Sequence, residues 1–239
     1  VVSCQFATHY FFENQTILQN FIRNISENCV INGYFIGTCY DGDKIFEALE
    51  NKKVGEGIGA AQDEKKLWEI TKQYSSDTFE NNATSVGYAI NVYQESINTT
   101  NTEYLVNFDF FTRVLENYGF VPITTDEAHR MGFPSAIGSF ETLFDNMKEE
   151  IENGKIDKAD VGKALNMSNK EKTISFLNNY YIFKKIRNPN AKEITDRILN
   201  ITEEQTKLDD DETTDLQQKV KPIKKRIVKK YKKKLKLPK

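Results

Sequence analysis

The residues best suited to chemistry crowd near the start of the chain, in the stretch Gln5-Phe6-Ala7-Thr8-His9-Tyr10-Phe11-Phe12-Glu13. Five of these nine are aromatic or imidazole, and no hydrophobic period accounts for them. An amide, an imidazole and a phenol can hydrogen-bond the polar edge of a ligand, and ring faces attract cations. The stretch follows Val1-Val2-Ser3-Cys4, which reads as the end of a buried strand. It precedes Thr16–Cys29, where Ile17, Leu18, Phe21, Ile22 and Ile25 mark one face of a helix. That places it at a strand-to-helix junction, where α/β folds bind ligands. On these residues alone, Gln5, His9 and Tyr10 could equally cap a helix and close a core.

The elements around the junction follow from periodicity. Val1–Phe6 is expected to be a strand, and Tyr34–Asp41 a second one after the Asn32-Gly33 turn. With the helix between them they form a crossover unit of a parallel sheet. Asp43–Asn51 is expected to be a short helix and Val54–Lys66 a loop, whose glycines lack the spacing of a phosphate cradle. Leu67–Tyr74 and Ser85–Tyr93 read as strands with no requirement to be parallel. A helix is expected from about Asp109 to Tyr118, followed by a strand. Glu127–Met167 reads as mixed and largely helical, with Ser139–Asn153 its clearest helix. Thr173–Arg187 has a strand-like centre. His129 has no partner pattern and reads as surface.

Composition bounds the class. The chain has 239 residues, 28% of them charged and 38% hydrophobic. No apolar run approaches the roughly 20 residues of a membrane span. Cys4, Cys29 and Cys39 are odd in number and lack metal-ligand spacing, which suits a reducing compartment. The net charge of −2 hides a division. Lys219–Lys239 holds 12 of the 33 basic residues and no acid, so the remaining 21 face 35 acids, a net of −14. Two parts with different partners are expected. From about Lys192 too little apolar surface remains to offset ordering entropy, so disorder is expected there.

Taken together, VVSCQFATHYFFE, NGYFIGTCYDGDKI, EYLVNFDFFTRVLENYGF, SFETLFDNM and EKTISFLNNYYIF resemble, in order, the second half of an mRNA cap guanine-N7 methyltransferase. The likeness is greatest to the methyltransferase domains of large DNA-virus capping enzymes and runs from Val1 to about Arg187. It implies the C-terminal part of a Rossmann-like class I S-adenosylmethionine-dependent methyltransferase, an α/β fold, over residues 1–187. Residues 188–239 would be an acidic, then Lys-rich disordered tail. The family's first strands and acidic glycine-rich cofactor loop have no counterpart in this sequence. They are expected to precede Val1, with triphosphatase and guanylyltransferase domains as further neighbours. The implied setting is intracellular: host cytoplasm, virion or nucleus.

The resemblance also assigns residues. Gln5 and Tyr10 would contact S-adenosylmethionine; His9, Glu103 and Tyr180 would contact the cap guanine of a GpppN 5′ end. The chemistry agrees for Glu103, since guanine offers N1–H and N2–H donors and a carboxylate only accepts. Tyr180 is preferred to Tyr181 because the family's tyrosine stands three residues before a strand aromatic, here Phe183. Guanine N7 already carries a nucleophilic lone pair, so no general base is expected. Alignment of the two substrates can supply roughly 7–11 kcal/mol. The competing reading is a non-catalytic, methyltransferase-like subunit that stimulates a capping enzyme or binds RNA. The Lys-rich end would bind phosphates, target the protein or solubilise it.

Overall fold

The computed structural model describes residues 1–201. The chain enters as β1 (Val2–Gln5), passes through a 3-10 turn at Thr8–Phe12, and forms α1 (Gln15–Asn28). The Asn14 side chain caps α1 by accepting from the Ile17 N–H at 2.9 Å. Leu18, Ile22 and Ile25 bury one stripe of the helix in the core, each contributing roughly 1.5–3 kcal/mol. Asn32, at φ 63°, turns the chain into β2 (Tyr34–Tyr40). β1 and β2 pair in parallel, from Val2 opposite Phe35 to Gln5 opposite Thr38, as the crossover reading expects. Asp41 then caps α2 (Gly42–Ala48).

Next comes a small antiparallel sheet of β3 (Gly57–Gln62), β4 (Lys65–Lys72), β5 (Ala89–Gln94) and β6 (Thr99–Tyr104), paired in that order. Here the expected loop at Val54–Lys66 is corrected. Its second half is a hairpin, turned by Asp63 and Glu64 at positive φ. Glycine lowers strand propensity, but a Cβ on Gly57 would stand 2.2 Å from the Ile70 carbonyl oxygen. The glycine that argued against a strand is what lets β3 approach β4 there.

The chain then returns to the first sheet. α3 (Phe108–Asn117) leads to β7 (Phe120–Pro122), α4 (Thr125–Arg130), β8 (Ile137–Ser139), α5 (Phe140–Glu152), α6 (Asn169–Ser175) and β9 (Asn178–Lys185). β9 is buried along nearly its whole length and lies antiparallel to β2, with β7 and β8 also paired to it. Its last residue, Lys185, is 1% exposed. Its ammonium donates to the Cys29 carbonyl at 2.8 Å and to Asn188 Oδ1 at 2.7 Å, satisfying a carbonyl at the end of α1. All three cysteines are free thiols.

The expectation of disorder from Lys192 is corrected for residues 192–201, which continue a helix that begins at 191. Asn190 starts it: its side-chain oxygen accepts from the Glu193 N–H, while its amide donates to the Glu193 carboxylate. Ala191 is buried in the main core, where Ile194 packs as well. The rest of the acidic and Lys-rich stretch, residues 202–239, lies outside the described residues. Within the described residues no helix is long and apolar enough to cross a membrane.

Candidate functional site

The site begins where β1 ends. Phe6 takes a left-handed conformation at φ 50°, a strain of about 1–3 kcal/mol for a residue with a Cβ. Its N–H donates to the Thr38 carbonyl at 2.8 Å, so the sharp bend is tied to β2. The bend throws the next residues into the 3-10 turn. There Thr8 and Phe12 point into the core and the Thr8 hydroxyl meets the Tyr181 hydroxyl at 2.6 Å. Held at both ends, the turn presents His9, buried at 3% exposure, and Tyr10, 41% exposed. Their rings meet edge to face, with centroids 4.4 Å apart.

Glu103 arrives from the other sheet. It sits on β6 opposite Ile90 and is 6% exposed. His9 Nε2 and Glu103 Oε2 lie 3.4 Å apart. By distance this is an ion pair, yet neither atom makes a hydrogen bond, and His9 Nδ1 is also unpartnered. Burial drives both groups toward neutrality. It lowers the His9 imidazole to about 4 and raises the Glu103 carboxyl to about 7. At neutral pH, then, an uncharged imidazole faces a carboxyl near its midpoint, and the ion-pair description does not hold. Each buried polar atom left unpaired costs about 1–3 kcal/mol. All three belong to residues lining one cavity of about 380 Å³, a size suited to a small ligand. Three unpartnered polar atoms on residues lining one cavity make it the candidate site for a molecule with donors and acceptors on one edge.

Four of the five residues singled out in the sequence fall around this bend, but they do not all line the cavity. His9, Tyr10 and Glu103 do. Gln5 lies just before them at the end of β1, exposed, its amide donating to Ser3 Oγ and accepting from Thr38 Oγ1, each at 3.0 Å. Tyr180 does not line that cavity; it shares another one with Gln5. Its hydroxyl donates to the Ser135 carbonyl at 3.0 Å, and it packs with Ile123, Ala128 and Ile182 beside this second, apolar cavity. Tyr181 points to the opposite face, as strand alternation requires, and joins the main core. His129 stays at the surface.

Among the cavity residues that the sequence reasoning passed over, three stand at strand ends. Tyr40 ends β2, Gln94 ends β5, and Asn178 begins β9. Gln94 Nε2 donates to the Tyr40 hydroxyl at 2.9 Å, leaving that hydroxyl's own hydrogen for another acceptor. Burial and the nearby Glu103 carboxylate raise the Tyr40 pKa well above its usual value, so it stays a donor. Their shared signal is placement at strand ends, which becomes informative only once two sheets are known to meet there.

Comparison with known proteins bears on this geometry. Over 216 residues the chain is 27% identical to a probable mRNA-capping enzyme of Acanthamoeba polyphaga mimivirus, covering 83% of this chain and 18% of that protein. Over 55 residues it is 40% identical to an mRNA cap guanine-N(7) methyltransferase of Caenorhabditis briggsae, covering 23% of this chain and 15% of that one. The chain therefore spans less than a fifth of the length of these relatives. Among solved structures, an S-adenosylmethionine-dependent methyltransferase from Clostridium acetobutylicum aligns with a TM-score of 0.40 at 12% identity, over 76% of this chain and 56% of that one. The family model of the mRNA (guanine-N(7))-methyltransferase domain matches residues 1–186 and so takes in both β1 with its turn and β6 with Glu103. The chain belongs to the mRNA (guanine-N(7))-methyltransferase domain family.

Proposed function

We propose that this chain forms the guanine-holding part of an S-adenosylmethionine-dependent enzyme that methylates N7 of the GpppN cap of mRNA. The observation that carries the reading is the unpartnered Glu103 Oε2, buried at the wall of a nucleobase-sized cavity beside the two unpartnered nitrogens of His9. Ionised Glu103 accepts from guanine N1–H and N2–H. Adenine, with an acceptor at N1, leaves the carboxylate unpaired and is rejected. Neutral His9 can donate to or accept from the base edge, and Tyr10 covers it. Held this way, N7 needs no deprotonation, only alignment and exclusion of water.

The cofactor, when bound, supplies an electrophilic methyl group on a sulfonium. The residues present fit one side of it. Tyr10 has an exposed ring face at the cavity, and Gln5 stands exposed at the carboxyl end of β1, where α/β folds bind ligands. The remaining contacts belong, in this reading, to another part of the same domain. It would pair with β1, which forms an edge of its sheet among the described residues. Capped RNA is the substrate, triphosphatase and guanylyltransferase domains are neighbours, and the protein works inside the cell, at a viral factory, in the virion or in the nucleus.

The test is Glu103→Gln in the full-length protein. The amide sets donors against guanine donors, so the Kd for the dinucleotide GpppA should rise about 10–100-fold. Affinity for S-adenosylmethionine should hold. Unchanged GpppA affinity would overturn the assignment.

A further inference from the structure

We infer that Asn178 is a specificity-determining residue of this pocket, its side-chain oxygen accepting a hydrogen of the guanine 2-amino group. The inference rests on the cap-guanine reading of the cavity. Asn178 opens β9 directly opposite Tyr40 and lines the same cavity as His9 and Glu103. It is 6% exposed. Its amide nitrogen donates to the Ile174 and Ser175 carbonyls, each at 3.2 Å, closing the end of α6. Both amide hydrogens are spent there, which fixes the orientation of the group and identifies its oxygen. Among the described residues that oxygen has no hydrogen-bond partner. It is therefore a rigid acceptor at the cavity.

The chemistry of guanine makes such an acceptor useful. A carboxylate that takes N1–H takes one hydrogen of the 2-amino group alongside it. The second hydrogen of that group points away along the same edge and needs its own acceptor. Glu103 alone would distinguish guanine from adenine but would read the 2-amino group only in part. With Asn178 as a second acceptor, a base lacking the group leaves a fixed carbonyl oxygen unpaired, and a base carrying a methyl there meets an amide that cannot move aside. Along β9, Asn178 lines the cavity of Glu103, whereas Tyr180 lines the apolar one. Two residues further along the same face of β9, the Tyr180 hydroxyl is bonded to the Ser135 carbonyl instead.

The test compares three cap dinucleotides by calorimetric titration of the full-length protein: GpppA, its hypoxanthine analogue, and its N2-methylguanine analogue. For the unmodified protein both analogues should bind about ten-fold more weakly than GpppA. Asn178→Ala should bind GpppA about five-fold more weakly and erase the penalty on the N2-methyl analogue. Equal affinity of the unmodified protein for GpppA and the N2-methyl analogue overturns the inference, whether or not Asn178→Ala folds. Glu103→Gln separates the two levels. If it leaves GpppA binding intact, the cap reading falls and this inference with it. If it abolishes GpppA binding while the N2-methyl cap is tolerated, only the role of Asn178 falls.

Discussion

In the proposed cap site, Glu103 would tie recognition to proton occupancy. Its carboxyl is raised to about 7 by burial, whereas in the unfolded chain it titrates in the usual carboxylate range near 4.5. The raised folded value means the native state keeps the proton longer. This group's contribution to stability is thus present at low pH and lost as pH rises toward about 7. The proposed guanine binding would run the other way, because only the ionised form accepts two guanine hydrogens. GpppA affinity should climb from pH 6 to pH 8 and level off. Glu103→Gln should flatten that profile. The same variant should gain thermal stability relative to wild type as pH rises from 4.5 to 7, the cost of an ionised buried carboxylate having been removed. Titrations and melts across that range check both; a variant that kept the wild-type profile would show that another group titrates.

The 3-10 turn Thr8–Phe12 shows what an element must do to hold such a residue. A turn this short has little stability of its own. It is fixed by Phe12 in the core and by the Thr8–Tyr181 hydroxyl pair. For the Tyr181 ring to reach Thr8 it must cross β2, and Gly37 lets it pass. A Cβ there would stand 2.2 Å from both the Tyr181 hydroxyl and the Cys4 carbonyl oxygen. Gly37→Ala should therefore destabilise the fold by more than Tyr181→Phe, which loses one buried hydrogen bond, about 1 kcal/mol. Tyr181→Phe should also loosen His9 and raise the Kd for GpppA a few-fold. Chemical denaturation and cap titration of the two variants check the order; a Gly37→Ala protein as stable as wild type would mean β2 and β9 can shift apart freely.

At the scale of the whole molecule, two sheets divide the work. The larger one carries the turn with His9, and the smaller antiparallel one brings Glu103 against it. Charge is divided too, with 12 basic residues in Lys219–Lys239 and a net of −14 elsewhere. An acidic body repels RNA at long range, and the basic segment offsets this. Each phosphate contact lowers log K by about 0.7 per unit of log salt for single strands. Removing Lys219–Lys239 from the full-length protein should weaken binding of a capped 20-mer and reduce its salt slope by about 2, as for three lost contacts. Affinity for GpppA should stay the same, since a dinucleotide has no phosphate chain to follow. Identical salt slopes with and without the segment would remove RNA binding as its role.

The sequence by itself determined the parallel crossover, the helices with a clear apolar stripe, and the cluster of rings at the end of β1. These are local facts: the burial of Leu18, Ile22 and Ile25 follows a period of 3.6. The family resemblance assigned His9 and Glu103 to one guanine, which no local pattern contains, since 94 positions separate them. Tertiary structure decided the rest. It turned the glycine-rich Gly57–Gln62 into a strand, because close approach to β4 outweighs low propensity. It extended order past Lys192, because Ala191 and Ile194 find the core. It set Asn178 of β9 at the cavity of His9 and Glu103, and Tyr180 at the neighbouring apolar one. Alternation along a strand fixes which face a side chain takes, but not how far along that face a cavity lies. Only the meeting of two sheets sets that.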